Sequence, residues 1–138
     1  MREKTLKLLG LMRRAGAISP GEDQGGEAVR TGKAKLLLFA ADVSDNARRK
    51  AENLSEGRNL QLVSLPFDRE ELGRALGLGS CSLAAVTDLG FAQSLMKLLS
   101  AQWPEDYAAA AQAVRERAEK AAERKARKGS KRTRRTNV

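Results

Sequence analysis

Leu36-Leu37-Leu38-Phe39-Ala40-Ala41 is apolar at every position rather than at alternate ones, and the predicted fold follows from this segment. A strand with one exposed face alternates apolar and polar residues, whereas a short continuous apolar run indicates a strand that is buried on both faces. Each face must then be covered by other elements. We therefore expect this strand at the centre of a small sheet with helices on both sides.

The segments on either side of the central strand have the patterns of the helices and strands that would cover it. Helices are predicted over residues 3–15 and Glu22–Thr31, and Ser19-Pro20-Gly21 between them is typical of a turn. Further strands are predicted at Leu60–Leu65 and Leu83–Val86. Helix starts are indicated by Ser44, by Asp68 with Glu71 three residues later as a capping box, and by Asp88. The predicted fold class is α/β, a three-layer α/β/α sandwich with a small mixed sheet.

Pro104 marks a change of composition, so we divide the chain into a domain over residues 1–103 and an extension over residues 104–138. Residues 105–128 are rich in Ala and charged residues, which predicts a solvent-exposed helix with little apolar surface to bury. From Gly129 onward the sequence is small, polar and basic, and we expect a disordered tail.

Composition narrows the possible functions. The chain has one cysteine, Cys81, and no histidine, which excludes an internal disulfide and the usual zinc sites, so no metal is expected. The lack of histidine also removes Ser–His and Cys–His nucleophile pairs, and we expect no enzyme activity and no small-molecule substrate. No apolar run approaches the length of a membrane span and no signal peptide is evident, so we expect a cytoplasmic protein without membrane contact.

Two glycine-containing stretches resemble nucleotide-binding loops without matching them. Gly26 and Gly32 are separated by five residues instead of four, and Ala34 stands where a Walker A loop needs Ser or Thr for magnesium. Residues 77–82 begin like a dinucleotide fingerprint, but the third glycine is missing and a strand follows. No cofactor is therefore expected.

Charge is distributed unevenly along the chain. The formal net charge is +9, and residues 115–138 contain 11 Lys and Arg residues against three Glu, a net charge of +8. The remaining 15 basic and 14 acidic residues nearly cancel. Non-specific phosphate contacts with salt-sensitive affinity are expected from the basic residues of the tail, namely Arg124, Lys125, Arg127, Lys128, Lys131, Arg132, Arg134 and Arg135.

The stretch Gly21-Glu22-Asp23-Gln24-Gly25-Gly26-Glu27 is more informative than the tail. Two adjacent glycines near a helix start cost roughly 1 kcal/mol each relative to alanine, so some other interaction must offset them. One explanation is a ligand that approaches the free N–H groups of the first turn closely, with Asp23 and Gln24 at its edge. The other explanation is close packing of this turn against the first helix.

Several segments together resemble one known family. They are residues 21–27, residues 28–36, Ala40-Ala41-Asp42-Val43, Glu71-Leu72-Gly73 and Gly77. In order, they resemble the ribosomal proteins of the L7Ae/L30e family. The opening Leu8-Leu9-Gly10-Leu11-Met12-Arg13-Arg14-Ala15-Gly16 is most similar to the bacterial YlxQ-like subgroup. The resemblance covers about residues 3 to 100, and the tail lies outside it.

The resemblance implies a non-catalytic protein that binds a kink-turn, a sharply bent RNA with a bulge and sheared G·A pairs. In that family, the segment matching residues 21–27 enters the groove at the G·A pairs, and the loop matching Leu78-Gly79-Ser80-Cys81 covers the flipped-out bulge nucleotide. Such recognition depends on shape and unstacked bases. It implies structured, ribosomal or ribosome-associated RNA as the partner. No unexplained apolar helix face argues for a dimer, so we expect a monomer.

The chain departs from the family pattern Gly-x-Asn-Glu-x-x-Lys, because Asp23, Gln24 and Glu27 occupy the last three named places. Asp23 lacks the amide donor of Asn, whereas Gln24 keeps an acceptor and adds a donor. Glu27 puts an anion where the family has a cation near phosphate, and Arg30, Lys33 and Lys35 are the residues expected to compensate. We therefore expect kink-turn binding that is weaker or altered.

Two other functions are compatible with these departures. The first is a protein-interaction module that kept the fold but lost specific RNA readout, as Asp23 and Glu27 would allow. The second is a protein in which only the tail binds nucleic acid, without sequence choice. Binding of a kink-turn RNA and of a plain duplex at several salt concentrations distinguishes them from the first interpretation.

Overall fold

The central strand is β2 (Leu36–Phe39), and all four of its residues are buried. The structure, a computed structural model, describes residues 2–136, with side chains through residue 127. Leu36 and Leu38 belong to one hydrophobic core, while Leu37 and Phe39 belong to a second core on the opposite face. Successive side chains of a strand point to opposite faces, so the predicted burial on both sides is confirmed.

Three further strands complete a mixed sheet: β1 (Ile18–Pro20), β3 (Gln61–Ser64) and β4 (Leu83–Val86). Their spatial order is β1-β4-β2-β3, with β2 and β3 parallel and the two pairs that involve β4 antiparallel. The predicted turn at Ser19-Pro20-Gly21 is wrong, because Ile18–Pro20 forms the edge strand β1. Three residues are too few to show alternation, and proline is tolerated at the sheet edge.

Helices cover both faces of the sheet, as predicted for a three-layer sandwich. They are α1 (Arg2–Arg14), α2 (Gly21–Arg30), α3 (Asp45–Ser55), α4 (Arg69–Ala75), α5 (Leu89–Gln102) and α6 (Pro104–Thr136). One core lies between the sheet and α2 with α3, and the other lies against the remaining four helices. Ser44 and Asp88 accept N-cap hydrogen bonds, and Asp68 with Glu71 forms the predicted capping box. In the described part of the chain, none of these helices has the length and apolarity needed to cross a membrane.

The last helix differs from its prediction in its first half. That half is not merely solvent-exposed, because Tyr107, Ala111 and Val114 are buried in the larger core. The disorder expected from Gly129 onward stays a prediction, since the side chains from residue 128 lie outside the described residues. The division at residue 103 stays a prediction.

Candidate nucleic-acid interface

The register of the sheet brings the two predicted binding segments, the start of α2 and the 78–81 loop, to the same end of the sheet. Pro20 ends β1 and pairs with Ala84 at the start of β4. The next residue after Pro20 begins α2, and the loop before Ala84 contains residues 78–81. Because β1 and β4 are antiparallel, the start of α2 and the 78–81 loop lie side by side.

The buried side chain of Cys81 connects the 78–81 loop to the start of α2. Its thiol is buried, donates a hydrogen bond to the Leu83 carbonyl at 3.0 Å and interacts with the backbone of Gly21. Burial raises the pKa of the Cys81 thiol, so the group is uncharged at neutral pH. Cys81 was predicted to contact RNA, but its buried side chain positions the loop against α2 instead.

The 78–81 loop also packs against α4, which holds it in place. The Leu78 N–H donates to the Gly73 carbonyl at 2.7 Å, and a Cβ atom at Gly73 would lie 2.5 Å from the Cα of Ser80. Only glycine allows the two backbones to approach this closely. Gly79 and Ser80 are exposed at the outer side of the loop, and the Leu78 side chain is 38% exposed. The 78–81 loop thus presents an apolar group on a fixed backbone.

Asp42 and Arg69 hold together the loops at the same end of the sheet. The sequence analysis identified neither of them as a site residue. Asp42 accepts from the Arg69 N–H at 2.8 Å and from the Arg69 side chain at 3.3 Å. Although desolvation acts in the opposite direction, these bonds lower the pKa of Asp42. The Arg69 carbonyl in turn accepts from the Cys81 N–H at 2.9 Å. A signal was available, because Arg is unfavourable in the first turn of a helix unless an anion compensates.

Four polar side chains form the exposed face of α2, which we call the α2 surface: Glu22, Asp23, Gln24 and Glu27. No side chain caps this helix, since its N-cap residue is Pro20. The helix starts at Gly21, whose φ of +90° favours glycine. Unpaired N–H groups of the first turn attract acceptors, while the carboxylates and the Gln24 amide offer partners to the donors of base edges.

A groove follows each side of α2. The groove toward α3 has a volume of about 280 Å³, with Arg30 and Lys50 at its rim and Leu54 in its wall. The groove toward the sheet edge has a volume of about 420 Å³ and contains Gln24, Glu27 and Lys33 among its lining residues. Asp23 lines both grooves, and it therefore forms the crest between them.

The two adjacent glycines have different causes. A Cβ atom at Gly25 would lie 2.9 Å from the Leu83 side chain, so close packing against β4 explains this glycine. At Gly26 the nearest atom, in Leu54, would be 3.6 Å away, which is an ordinary contact distance. The packing explanation is correct for Gly25, but the partner is the sheet rather than the first helix. Both glycines are buried beneath the α2 surface.

Arg30 lies close enough to Glu27 to compensate for its charge. One guanidinium nitrogen is 3.3 Å from a Glu27 carboxylate oxygen, and both side chains are more than half exposed. Lys33 lines the same groove as Glu27, as the prediction requires. Lys35 does not. It precedes β2 and lies at the opposite end of the sheet, roughly 16 Å from the 78–81 loop at the rise of a strand.

The predicted phosphate-binding residues of the tail extend beyond the described side chains. Arg124, Lys125 and Arg127 are exposed on α6, and Arg127 lies 3.6 Å from Glu123. The remaining positions have side chains outside the described residues, so their phosphate contacts stay predictions; these are Lys128, Lys131, Arg132, Arg134 and Arg135.

The molecule is a small α/β/α sandwich protein, defined by its sheet order and its two helical layers. A polar helix start lies beside an exposed apolar loop at one end of its sheet. The chain belongs to the ribosomal protein L7Ae/L30e/S12e/Gadd45 family, whose model matches residues 3–96. The start of α2 and the 78–81 loop both lie within the matched region, whereas α6 lies outside it.

Relatives and solved structures agree with this assignment. The chain is 35% identical to the RNA-binding protein YlxQ of Bacillus subtilis (strain 168), over 67% of this chain and 91% of the relative. It is 30% identical to YlxQ of Enterococcus faecium, over 71% and 93%. A solved protein of unknown function from Bacillus halodurans C is 30% identical with a TM-score of 0.65, over 70% and 97%. The Giardia lamblia 15.5kD RNA binding protein shares the fold, with a TM-score of 0.56 at 24% identity over 69% and 84%.

Proposed function

We propose that this protein binds structured RNA without catalysing a reaction, and that it recognises a kink-turn-like bend in ribosomal or ribosome-associated RNA. The α2 surface meets the base edges, and the 78–81 loop covers an unstacked base. The names of the Bacillus and Enterococcus relatives support RNA as the partner. A single protein molecule supplies both segments, so a monomer is sufficient.

The observation that carries the proposal is the fixed juxtaposition of these two segments. Cys81 contacts the backbone of Gly21, and the loop containing Leu78 packs directly on α4 at Gly73. A polar face that can read base edges thus stands beside an exposed apolar side chain. Bent RNA presents this combination, since it has open base edges next to a nucleotide that is flipped out of the stack.

Local charge favours contacts with bases over contacts with phosphates at the α2 surface. The carboxylates of Glu22 and Asp23 lie in the first turn of α2, whereas the cations Arg30 and Lys33 lie near Glu27 toward its other end. A carboxylate repels phosphate oxygens but accepts hydrogen bonds from amino groups of bases. Recognition at this face therefore depends on geometry, and a plain duplex, whose base edges are stacked and paired, offers few of the required donors.

The proposal is tested with the full chain and two RNAs of equal length and charge, one with a kink-turn and one a continuous duplex. We expect a clear preference for the kink-turn RNA that persists as salt is raised. Gln24→Ala should reduce the preference about tenfold, as loss of one base-edge contact does. Asn53→Ala, at an exposed amide on α3, is the matched control and should leave the preference unchanged.

Equal affinity for the two RNAs at every salt concentration would contradict kink-turn recognition. Binding that is equal for both RNAs and is lost when the tail is neutralised would instead assign nucleic-acid binding to the tail alone. If neither RNA binds, the remaining interpretation is a protein-interaction module of the same fold.

A further inference from the structure

A basic surface lies at the opposite end of the sheet from the 78–81 loop. Lys35, Lys120 and Arg124 line a cleft of about 400 Å³ between the body and α6, and Arg117 and Glu116 also contribute to its walls. We call this the α6 cleft. Lys35 immediately precedes β2, whereas Ser82, the residue after the 78–81 loop, accepts a hydrogen bond from the N–H of Ala40 just beyond the other end of β2. The α6 cleft and the 78–81 loop are therefore separated by the length of that strand.

Arg117 gives the α6 cleft a defined shape. Its guanidinium donates to the Asn59 carbonyl at 2.9 Å and to the Lys35 carbonyl at 3.4 Å, and it thereby fixes α6 against the loops before β2 and β3. These two bonds engage the Arg117 guanidinium with the body of the protein. The other three cations, Lys35, Lys120 and Arg124, remain available to a ligand.

The charges of the cleft are unbalanced. Four cations face one carboxylate, that of Glu116, which accepts a hydrogen bond from Gln112 at 3.2 Å. Among the side chains that the structure describes, Lys35, Lys120 and Arg124 take part in none of the ion pairs. Like charges held close together repel one another, so a bound polyanion would relieve this repulsion.

The basic residues that α6 contributes to the cleft belong to a longer run of basic positions in the sequence. Positions 117, 120 and 124 recur at helical spacing on one side, and the sequence continues the same spacing with Lys or Arg at 128, 131 and 135. Glu119 and Glu123 fall on a different side of the helix. At 1.5 Å per residue, the eighteen steps from 117 to 135 cover roughly 27 Å of helix axis.

We propose that the α6 cleft binds the phosphate backbone of a second RNA segment, a duplex arm that extends away from the bend held at the α2 surface. The inference rests on the proposed function for the identity of the RNA. Ammonium and guanidinium groups suit phosphate oxygens, and no aromatic side chain lines the cleft for base stacking. Lys35 thereby gains a role, but in this cleft rather than beside Glu27.

The test uses the full chain in which Lys35, Lys120 and Arg124 are replaced together by Gln. The matched control replaces Lys4, Lys7 and Lys97 by Gln, which removes the same charge from exposed positions of α1 and α5. Affinity is measured over a salt series for a kink-turn RNA with long arms, the same RNA with arms cut short, and a plain duplex. Thermal unfolding of each variant verifies that the fold is intact.

We expect the triple cleft variant to bind the long-armed RNA about tenfold more weakly than the control variant does. Its plot of log affinity against log salt should be shallower by about one unit for each lost phosphate contact. The short-armed RNA should show little difference between the two variants. Equal affinities and slopes for the cleft and control variants with the long-armed RNA would overturn the inference.

Failure of this inference is distinguishable from failure of the proposed function. If the control variant prefers the kink-turn but the cleft variant matches it throughout, the inference is wrong and the proposed function stands. If neither variant prefers the kink-turn yet the cleft variant loses affinity and salt slope on the long duplex, the cleft binds phosphates and kink-turn recognition is wrong.

Discussion

Glu27 is the residue at which the chain departs most from its family pattern, and the structure shows a partner for its charge. Its carboxylate lies 3.3 Å from the Arg30 guanidinium, and both groups are exposed. An exposed pair at this spacing stabilises a helix by only about 0.2–0.5 kcal/mol. Reversing the charge of Glu27 should therefore leave the fold intact and change the electrostatics of the α2 surface alone.

We predict that Glu27→Lys tightens kink-turn binding about tenfold, because it removes an anion near phosphate and releases Arg30. Titration of labelled kink-turn RNA measures the effect. Glu52→Lys makes the same charge change on the exposed side of α3 and serves as the control. Equal tightening by the two variants would mean that only total charge matters and that the RNA does not meet the α2 surface.

Gly25 and Gly26 are predicted to respond oppositely to alanine. Gly26→Ala should raise the free energy of unfolding by up to about 1 kcal/mol, since the added methyl group meets Leu54 at an ordinary distance and alanine favours the helix. Gly25→Ala should lower it by about 1 kcal/mol or more, since the buried Leu83 must move to admit the methyl group. Urea unfolding of each single variant measures both values, and equal stability of the two would contradict the packing assignment.

For individual residues, the sequence predicts that residues 21–27 are important but does not assign a role to each of them. Residues 21–27 were singled out by their two glycines, yet the partner of Gly25 is Leu83, almost sixty positions away in the chain. Lys35 is close to Glu27 in the sequence, but it lines a cleft beside α6 rather than the groove that Glu27 shares with Lys33. Proximity along the chain predicts neighbours within a helix but does not predict which surface a residue outside the helix faces.

The relation between α4 and the 78–81 loop determines how rigidly the apolar tip is presented. A Cβ atom at Gly73 would contact three backbone atoms of Ser80 at 2.5–2.8 Å, and backbone cannot rotate aside as a side chain can. We predict that Gly73→Ala displaces the loop and lowers the free energy of unfolding by about 1–3 kcal/mol. Gly79→Ala, at a position with no neighbouring atom within 4 Å, is the control for stability.

Unfolding by urea and kink-turn binding should be measured together for the Gly73 variant. Loss of affinity beyond that caused by partial unfolding would indicate that the loop position itself contributes to binding. A Gly73→Ala protein as stable as the Gly79→Ala protein would show that the loop can move away from α4 at no cost.

The contact between α6 and the body has a titratable group at its centre. The buried Tyr107 hydroxyl donates to the Ser64 carbonyl at 2.6 Å. Burial, assisted by the negative charge of Asp106, raises the pKa of Tyr107 above its ordinary value of 10.0. A group whose pKa is higher in the folded state contributes stability that is complete below its unfolded pKa and is lost as pH rises through the folded pKa.

We predict that Tyr107→Phe lowers the free energy of unfolding by about 1 kcal/mol near neutral pH, through loss of one hydrogen bond. The difference between the wild type and the variant should shrink as pH rises above 10.0, where the unfolded wild type releases its proton. Chemical unfolding at neutral pH and at several alkaline values provides the comparison. A difference that stays constant across the alkaline range would exclude the phenol as the responsible group.

Among the elements, those with strong local signals were predicted and those that depend on distant partners were not. β2, β4 and the caps at Ser44, Asp68 and Asp88 follow from residues within each segment. β1 is a strand only because β4 lies beside it. The alanine-rich sequence of α6 predicts an exposed helix with little to bury. Alanine, however, lets a helix approach the body closely, so Ala111 packs into the core beside Tyr107 and Val114.

In the whole molecule, the family-matched domain and the excess of positive charge lie in different parts of the chain. Residues 1–114 are almost neutral and include the family-matched region 3–96, whereas residues 115–138 hold a net charge of +8. A nearly neutral domain attracts RNA weakly at long range but can discriminate shape at contact. A basic helix has the opposite properties, because phosphate contacts contribute affinity that depends on salt and little on sequence.

This separation predicts how the end of the chain contributes to RNA binding. Replacing Lys131, Arg132, Arg134 and Arg135 together by Gln removes four positive charges without touching the body. Affinity for a kink-turn RNA and for a plain duplex should fall by the same factor, about tenfold or more at low salt, and the salt dependence should weaken for both. The ratio of the two affinities should stay unchanged, since that ratio belongs to the α2 surface and the 78–81 loop. Titrations of both RNAs over a salt series measure the ratio, and a change in it would show that the tail takes part in recognising the bend.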